Sequence, residues 1–521
     1  MANGKAKKPP QKTVDFLKPQ KGACRTRAGV PYCENTYATQ PMTNHPTERA
    51  TLKRGIGKVG FFCLAFGAMI GVGWVTAMGP WLKTAGPIGA CIGFAIGGML
   101  MLFIGFCYAE VTAMLPVSGG EVAYAYKAFG PSKSFLVGWF LAFGYISVSA
   151  FEAISIGKIA SYLFPSIDRW PLYSINGDPI YGSHLLLALG FVALITWINY
   201  IGVQGSMRFQ VYLTLAFLTI VAGVVAASFY KSDINHLGPY FIRDGNGSIL
   251  GGIIAVFATV PFWLVGFDTI PQGAEEAKAS VSYRTIGLLI VASIVAAVSF
   301  YILLIISTSM VGNWQSLLGA ELLTAKAFEL AFRSKIIVDG ILVAILIGLL
   351  TSWNGFFLAG SRVLFAMGRG RIISPTLGQS HPRYKTPYKA VLFSGAITLV
   401  ASLLGRGAMV AFVDVGSFCI AAAFLGVSFS FVKLRRSFPH QHRPYRTPGG
   451  LATGYISIFG SLIILLAITL PGSPAALVWP LEWLILLALC ILGIVFWYIS
   501  KKSRNTTAQE DRDYLILEKF K

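Results

Sequence analysis

Three glycines interrupt an otherwise apolar stretch of the chain, at positions 67, 71 and 73 of the segment GAMIGVGW. Glycine lets the backbone leave a helix at low cost and lets a ligand approach the main chain. Where a helix restarts after such a break, its first amide groups have no partner within the helix and form a site for an anion. The segment therefore predicts an anion-binding break in a helix.

A second break is predicted at FWLVGFDTI, where Gly266 lies between Pro261 and Pro271. An interrupted helix frees backbone carbonyl groups, which suit an ammonium group or a cation. A carboxylate site that faces an ammonium site is the arrangement expected for a zwitterionic amino acid. The alternative for the first segment is close helix packing, because Gly67 and Gly71 have the spacing of helix–helix contacts in membranes.

A charge inside a long apolar segment is costly and is by default a candidate for function, and we consider four such residues. They are Glu152, Lys158, Asp268 and Asp414. Glu152 could carry a proton or, when ionised, recognise a substrate amine, and an ion pair with Lys158 is the structural alternative. Asp268 follows the second break, where it could help to gate a path or cap the next helix. No role is assigned to Asp414.

The elements that position these residues must cross a membrane. The chain of 521 residues is 55% hydrophobic and 12% charged, with a mean hydropathy of +0.65. A bilayer core of roughly 30 Å needs about 20 apolar residues per helix, and about twelve such segments are present. The predicted spans 1 to 12 are 57–83, 87–114, 134–163, 184–203, 209–230, 248–274, 285–311, 336–362, 388–405, 408–432, 452–470 and 478–500.

The two breaks fall in spans 1 and 6, and interruptions at corresponding places of two five-span units are the pattern of an inverted-repeat transporter. The predicted fold class is an all-α integral membrane protein with twelve transmembrane helices, a five-plus-five inverted repeat and broken helices 1 and 6. The predicted parts are a largely disordered cytoplasmic N-terminal tail (1–55), a ten-helix core (56–434), helices 11 and 12 (435–500) and a cytoplasmic C-terminal tail (501–521).

The net charge of +21 comes from 43 Lys and Arg residues, which concentrate in both tails and in the loops on one side of the predicted bundle. Cytoplasmic loops carry such an excess, so we expect both termini to be cytoplasmic, in a bacterial inner membrane or a plasma membrane. Membrane lipid, and not nucleic acid, is the expected partner of this charge. We expect no signal peptide, disulfide framework, structural metal or cofactor.

Four separated motifs, in this order, resemble the amino acid/polyamine/organocation (APC) permease superfamily. They are GAMIGVGW with the GPWLKTAGP that follows it, YAEVTAMLPVSGGEVAYAYKAFGP, VGFDTIPQGAEEAK and NGFFLAGSRVLFAMGRG. The resemblance covers roughly residues 57–434. It implies a transporter with twelve helices, the five-plus-five fold and alternating access.

The resemblance also assigns candidate site residues by their positions in these motifs. It places carboxylate-binding amides at Gly71, Val72 and Gly73, amine-binding carbonyls at Met69, Phe262 and Val265, and substrate-facing side chains at Ser149 and Glu152. The aromatic residue that closes over the substrate corresponds to Phe262, or to Trp263 if the alignment shifts by one. Asp268 corresponds to an acidic gating residue.

The ion that drives transport is open at this stage. Proton-coupled relatives often carry a lysine at the position of Phe217, and a phenyl ring cannot carry a proton. Sodium-coupled relatives of the fold bind Na⁺ in the same space, and oxygens suited to a hard cation could come from Gly67, Ile70, Gly348, Thr351 and Ser352. The hydroxyl groups could instead bond back to their own helix. A proton carried by Glu152 would also drive transport, and uncoupled exchange would need no ion.

The function predicted is a secondary active transporter that moves amino acids, either coupled to a cation or by exchange. A permease for organic amines such as ethanolamine or polyamines is the alternative, although an amine without a carboxylate would not need the glycine-rich anion site. A receptor or channel would need a sensing domain or a continuous polar pore, and neither is evident. An enzyme is not expected, because nucleophile, metal-ligand and phosphate-loop motifs are not found.

Overall fold

The computed structural model describes residues 25–27, 30–32, 48–175, 178–243, 248–320, 322–404, 406–473, 475–518 and 520. The chain divides into two units, Met1–Glu48 and Arg49–Lys521. In the first unit, β1 (Arg25–Arg27) pairs antiparallel with β2 (Val30–Tyr32). The disorder predicted for the N-terminal tail falls largely outside the described residues.

The second unit is nearly all helical, apart from an antiparallel pair of strands, β3 (Pro171–Ile175) and β4 (Asp178–Tyr181). Its helices are α1 (Lys58–Met69), α2 (Gly73–Thr76), α3 (Met78–Met114), α4 (Gly120–Phe129), α5 (Pro131–Leu163), α6 (Gly182–Ile201), α7 (Val203–Lys231), α8 (Ile249–Trp263), α9 (Thr269–Gly273), α10 (Tyr283–Val311), α11 (Leu323–Phe332), α12 (Lys335–Arg369), α13 (Tyr388–Ser402), α14 (Arg406–Ser437), α15 (Leu451–Thr469), α16 (Leu481–Ile499), α17 (Lys501–Thr506) and α18 (Gln509–Leu517).

Within the described residues, 10 helical stretches are long and apolar enough to cross a membrane by length and composition. This agrees with the prediction of a helical membrane bundle. Two shorter apolar helices, α8 and α13, have 15 residues each, fewer than the roughly 20 that a bilayer core requires. The chain leaves the helical conformation after α8 and resumes it in α9, at the place where the sequence predicts a broken span.

A break in the helical conformation lies inside α3, three residues after the predicted end of span 1 at residue 83. Gly86 has φ +73°, outside the helical range, and Pro87 follows it. A Cβ at Gly86 would lie 2.8 Å from the carbonyl oxygen of Tyr240, so the turn has no room for a side chain. The helical conformation is therefore interrupted at Gly86, between the predicted spans 1 (57–83) and 2 (87–114).

The broken helices lie inside the bundle. Helix α1 packs against α7, α10 and α12, while α5 packs against α12 and α14. The chain leaves the helix after Met69 and begins α2 at Gly73. Non-helical backbone at membrane depth is stable only where protein or a polar cavity encloses it. This packing supplies that enclosure for the first break.

Both ends of the second unit meet at one end of the bundle, which we call the terminal face and define by Arg49 and α18. Glu275 accepts hydrogen bonds there from Arg49 at 3.0 Å and from Arg369 at 2.8 Å. Next to it, Arg362 pairs with Glu276 at 2.7 Å, with both side chains buried. These pairs tie the chain before α1 and the chain after α9 to the end of α12.

The ion pairs of Glu275 predict a pH dependence of stability. Burial raises the pKa of Glu275, but the charges of Arg369 and Arg49 outweigh burial and lower the pKa from 4.5 to about 2. A lowered pKa stabilises the folded protein fully above about pH 4.5, and this stabilisation is lost as the pH falls towards 2. Its size is about 3 kcal/mol at about 1.4 kcal/mol per pKa unit.

We therefore expect Glu275→Gln to lower the Tm of the detergent-purified protein, with a gap to wild type that narrows below about pH 4.5. Thermal unfolding between pH 7 and pH 3 measures that gap. Glu329→Gln is the matched control, because Glu329 pairs with Lys326 on the surface and both side chains are about half exposed. A gap that stays constant across this pH range would contradict the assignment.

Candidate functional site

A cavity of about 330 Å³ lies where the two helix breaks meet. Its wall combines backbone of both breaks with side chains from α5, α10, α12 and α14. The lining residues that carry the argument below are Met69, Gly71, Val72, Gly73, Glu152, Phe262, Trp263, Val265, Tyr301 and Ser352. The structure thus brings together most of the substrate-binding residues that the sequence predicts.

The first break contributes the start of a helix to the cavity. Helix α2 begins at Gly73, with Val72 before it. The amides of Val75 and Thr76 donate to the carbonyl of Val72 at 3.1 and 3.2 Å, and the amides ahead of them have no preceding helical turn to bond to. Gly71 and Gly73 add no side chain of their own at this point. The structure thus has a helix break at the glycines where the sequence predicts one, and the anion site there stays a prediction.

Glu152 of α5 lies directly against this break. A Cβ at Gly71 would be 3.2 Å from Oε1 of Glu152 and 3.4 Å from Oγ of Ser352. The side chain of Glu152 is buried, and its Oε2 has no hydrogen-bond partner among the described residues. The protein therefore places a carboxyl group of its own beside the predicted carboxylate site. The side chain of Lys158, which could have formed an ion pair with Glu152, lies outside the described part of the structure.

The second break packs directly on the first. Gly266 has φ +135°, and a Cβ there would lie 2.7 Å from the backbone nitrogen of Met69. Of the predicted amine-binding carbonyls, that of Met69 accepts a hydrogen bond from Tyr301 at 3.1 Å, and that of Phe262 accepts one from the amide of Val265 at 3.4 Å. Both breaks thus present backbone amides and carbonyls to the cavity. The carbonyls of Met69 and Phe262 already accept hydrogen bonds from within the protein.

The contact between the breaks predicts that Gly266→Ala is strongly destabilising. The added Cβ would collide with backbone and would hold a backbone angle that side chains rarely adopt, at a cost of roughly 2–4 kcal/mol. Thermal unfolding in detergent measures the change as a lowered Tm. Gly190→Ala is the control, because a Cβ at Gly190 meets nothing within 4 Å. Equal Tm values for the two variants would contradict the prediction.

Aromatic side chains form one wall of the cavity. Phe262 and Trp263 pack edge to face with ring centroids 4.6 Å apart, and Trp263 also contacts Trp81. The indole ring of Trp263 occupies the space that a Cβ at Gly73 would need. Both predicted gating aromatics therefore line the cavity. Trp263, at the end of α8, contacts Gly73 of α2 and Trp81 of α3.

Two predicted residues lie away from the cavity lining. Ser149 donates a hydrogen bond to the carbonyl of Tyr145 at 3.1 Å, because the face of α5 that lines the cavity passes through residues 148, 151, 152, 155 and 159. Asp268 lies between the second break and α9, where it accepts hydrogen bonds from Tyr145 at 2.7 Å and from the amide of Gly266 at 2.9 Å. The side chain does not cap α9 as the sequence suggested, because its oxygens are used by these partners.

The residues considered for Na⁺ lie on both sides of the first break. The hydroxyl of Thr351 donates to the carbonyl of Gly348 at 2.9 Å, and Ser352 faces Gly71 in the cavity. The amide nitrogen of Gln210 lies against Gly67 and donates to the carbonyls of Cys63 and Thr351, each at 3.1 Å. The carbonyl oxygens of Gly71 and Ile70 lie close to Gly348 of α12, at 3.1 and 3.2 Å from the position that a Cβ there would take.

Sequence reasoning missed Tyr301, which lines the cavity, and Gln210, which lies against Gly67 beside the first break. Gln210 joins a buried hydrogen-bond network in which it accepts from Asn354 at 2.8 Å. Phe217, further along the same helix α7, packs on Trp74 and Phe300. Polar residues at 199, 206, 210 and 354 inside apolar spans were the available signal. Their partners could not be assigned because most of these bonds join segments far apart in the chain.

A bundle of apolar helices around a cavity, with helix breaks that offer both amides and carbonyls, is the arrangement expected of a membrane permease for a small molecule. A family profile for amino acid permeases matches residues 56–497. The chain belongs to this amino acid permease family, which confirms the resemblance to the APC superfamily and makes it an integral membrane protein.

Individual relatives agree with this assignment. The chain is 27% identical over 469 residues to the branched-chain amino acid permease BcaP of Bacillus subtilis (strain 168), covering 88% of this chain and 95% of that protein. It is 28% identical over 410 residues to the methylthioribose transporter of the same organism, covering 76% and 85% of the two chains. It is 25% identical over 455 residues to cationic amino acid transporter 4 of Mus musculus, covering 84% and 68%.

Proposed function

We propose that this protein is a secondary active transporter that moves amino acids across a membrane by alternating access. The observation that carries the proposal is the cavity that touches both helix breaks. A carboxylate would bind at the amides of Gly71, Val72 and Gly73, as anions do at helix starts. The ammonium group would bind the carbonyls of Met69, Phe262 and Val265.

The side chain of the substrate would face a mostly apolar wall. Opposite the breaks, the cavity is lined by Val148, Phe151, Ile159, Phe356 and Ile420. A pocket of this composition favours burial of an aliphatic side chain and leaves a second charge without a partner. We therefore propose an amino acid with an apolar side chain as the substrate.

We propose that Glu152 couples transport to a proton. An ionised carboxylate at Gly71 would repel the substrate carboxylate that must bind beside it, whereas a protonated carboxyl could donate a hydrogen bond to it. Substrate and proton would therefore bind together. The proximity of Ser352 to the same place supports this, since its hydroxyl can donate to either carboxyl group.

The remaining architecture is proposed with this function. The bundle has twelve spans in a five-plus-five inverted repeat, with α8 and α9 together forming span 6. The terminal face is cytoplasmic, in agreement with the distribution of Lys and Arg. Phe262 and Trp263 close over the substrate, and Asp268, held by Tyr145, moves with the second break when the cavity opens to the terminal face.

Uptake by the purified protein in proteoliposomes tests the proposal. Radiolabelled leucine, lysine and ethanolamine are offered in Na⁺ and then in choline buffer, with and without an inward proton gradient. We expect leucine to accumulate in choline when the gradient is imposed, and unlabelled valine to compete.

Different outcomes would replace parts of the proposal. A strict requirement for Na⁺ would move coupling to Gly67, Ile70, Gly348, Thr351 and Ser352. Uptake that depends only on preloaded amino acid would establish exchange, and preferential uptake of ethanolamine would favour an amine permease. Binding of leucine without any flux would overturn the transporter itself and favour a receptor.

A further inference from the structure

A groove on the terminal face lies where α16 meets α17 and α18. It has a volume of about 420 Å³. Among the described residues that line it, three are basic and none is acidic. The three basic residues are Lys501, Arg504 and Arg512. The other lining residues include Trp497, Tyr498 and Asn505. This concentration of positive charge has no part in the transport cavity.

Arg512 makes the groove more than a charged surface. Only 7% of this residue is exposed, and its Nε has no hydrogen-bond partner among the described residues. Its Nη2 donates to the backbone carbonyls of Arg504 and Thr507. The neighbouring Asp513 is engaged by Tyr126 at 2.7 Å. A buried guanidinium that has an unused donor, and no carboxylate of the described chain within ion-pair distance, is stabilised by an anion from elsewhere.

Arg504 faces the same groove. Its guanidinium stacks on the ring of Trp497, and Nη1 donates to the carbonyl of that residue. Burial and the positive charge of Arg512 lower the pKa of Arg504, so the two guanidinium groups repel each other in the absence of an anion. Paired, planar guanidinium groups fit the oxygens of a phosphate group with several hydrogen bonds at once.

We propose that this groove binds a phosphate group, with Arg512 and Arg504 as its direct partners and Lys501 at its rim. Trp497 and Tyr498 lie at the end of an apolar helix, the depth at which aromatic residues meet lipid headgroups. The phosphate of an anionic phospholipid would reach the groove from there, and a free phosphate would reach it from the aqueous side.

Occupancy of the groove would hold α18 on the terminal face. Leu515, Ile516 and Leu517 of α18 are buried, and Arg49 donates to the carbonyl of Leu515 at 3.2 Å. Arg49 also pairs with Glu275 beside the second break. A phosphate between Arg504 and Arg512 removes the repulsion that opposes docking of α18. This inference concerns a separate site and does not depend on the proposed transport function.

The test is thermal unfolding of the purified full-length protein in a zwitterionic detergent, titrated with short-chain phosphatidylglycerol, short-chain phosphatidylcholine or inorganic phosphate. We expect the Tm of wild type to rise to a plateau with phosphatidylglycerol. Arg512→Gln and Arg504→Gln should each weaken the apparent affinity roughly tenfold or more, the effect of losing a charged hydrogen-bond partner. Arg446→Gln, at an exposed arginine outside the groove, should respond as wild type does.

Each result decides something about the ligand. A response to phosphatidylglycerol alone identifies a lipid site, and an equal response to inorganic phosphate identifies an ion site. The proposal is overturned if wild type responds to neither, if phosphatidylcholine acts as strongly as phosphatidylglycerol, or if both groove variants keep the full response. If one variant fails to fold, the second variant and the wild-type titrations still show whether the groove binds a phosphate group.

Discussion

Uptake is expected to be lost in Gly71→Leu, by about 100-fold or more, because a side chain at the binding position displaces the substrate. The first atom of that side chain already lies 3.2 Å from Oε1 of Glu152 and 3.5 Å from Cβ of Ser352. The rest of the leucine must extend into the cavity, across the amides of Val72 and Gly73. Initial rates of leucine uptake in proteoliposomes measure the loss.

The matched control is Gly223→Leu, a glycine of α7 at which a Cβ meets nothing within 4 Å. Both variants are first compared for yield and for a single symmetric peak in size-exclusion chromatography, so that lost uptake is not confused with lost folding. Normal uptake by well-folded Gly71→Leu would contradict the proposal that the substrate binds at the first break.

Glu152→Gln is expected to abolish accumulation driven by a proton gradient, to the level of protein-free vesicles, while exchange of internal for external leucine continues. Glutamine keeps the size of the side chain and can still donate to a substrate carboxylate, as the protonated glutamate would. It cannot release a proton. The pH dependence of exchange should therefore be flat in the variant and should fall with rising pH in wild type, where ionisation of Glu152 repels the substrate.

Both assays use one batch of proteoliposomes with the gradient imposed or omitted. Glu329→Gln removes a carboxylate that is about half exposed on α11 and is expected to leave both readouts unchanged. If Glu152→Gln accumulates leucine with the pH profile of wild type, the proton is carried elsewhere and Glu152 has only a structural role.

The two breaks could be predicted from the sequence because each is a local property of the chain. A glycine or proline alters the backbone wherever it stands, and an apolar run of about 20 residues is costly to leave in water in any fold. Gly71, Gly73 and Gly266 were found for that reason. The same local signals gave the helical class and the resemblance to the permease family.

Partners across the bundle could not be predicted in this way. For Asp268 the sequence predicted a gating role, with capping of the following helix as the structural alternative, but its side chain bonds to Tyr145 and Gly266 instead of capping that helix. Ser149 shares a helix with Glu152, yet the rotation of α5 turns it away from the cavity. The groove at Arg512 was not anticipated, since the sequence shows only a basic tail with acidic residues near it.

The sequence by itself thus determined a helical membrane protein with breaks in two of its helices. Backbone freedom and apolar length are both properties of short stretches of residues. Only the tertiary structure decided that a glutamate lies on the first break, that Gln210 lies against Gly67, and that the buried Arg512 has no carboxylate partner among the described residues. These facts depend on how helices rotate and approach one another. That arrangement is set by packing over the whole bundle, which no short segment of the chain encodes.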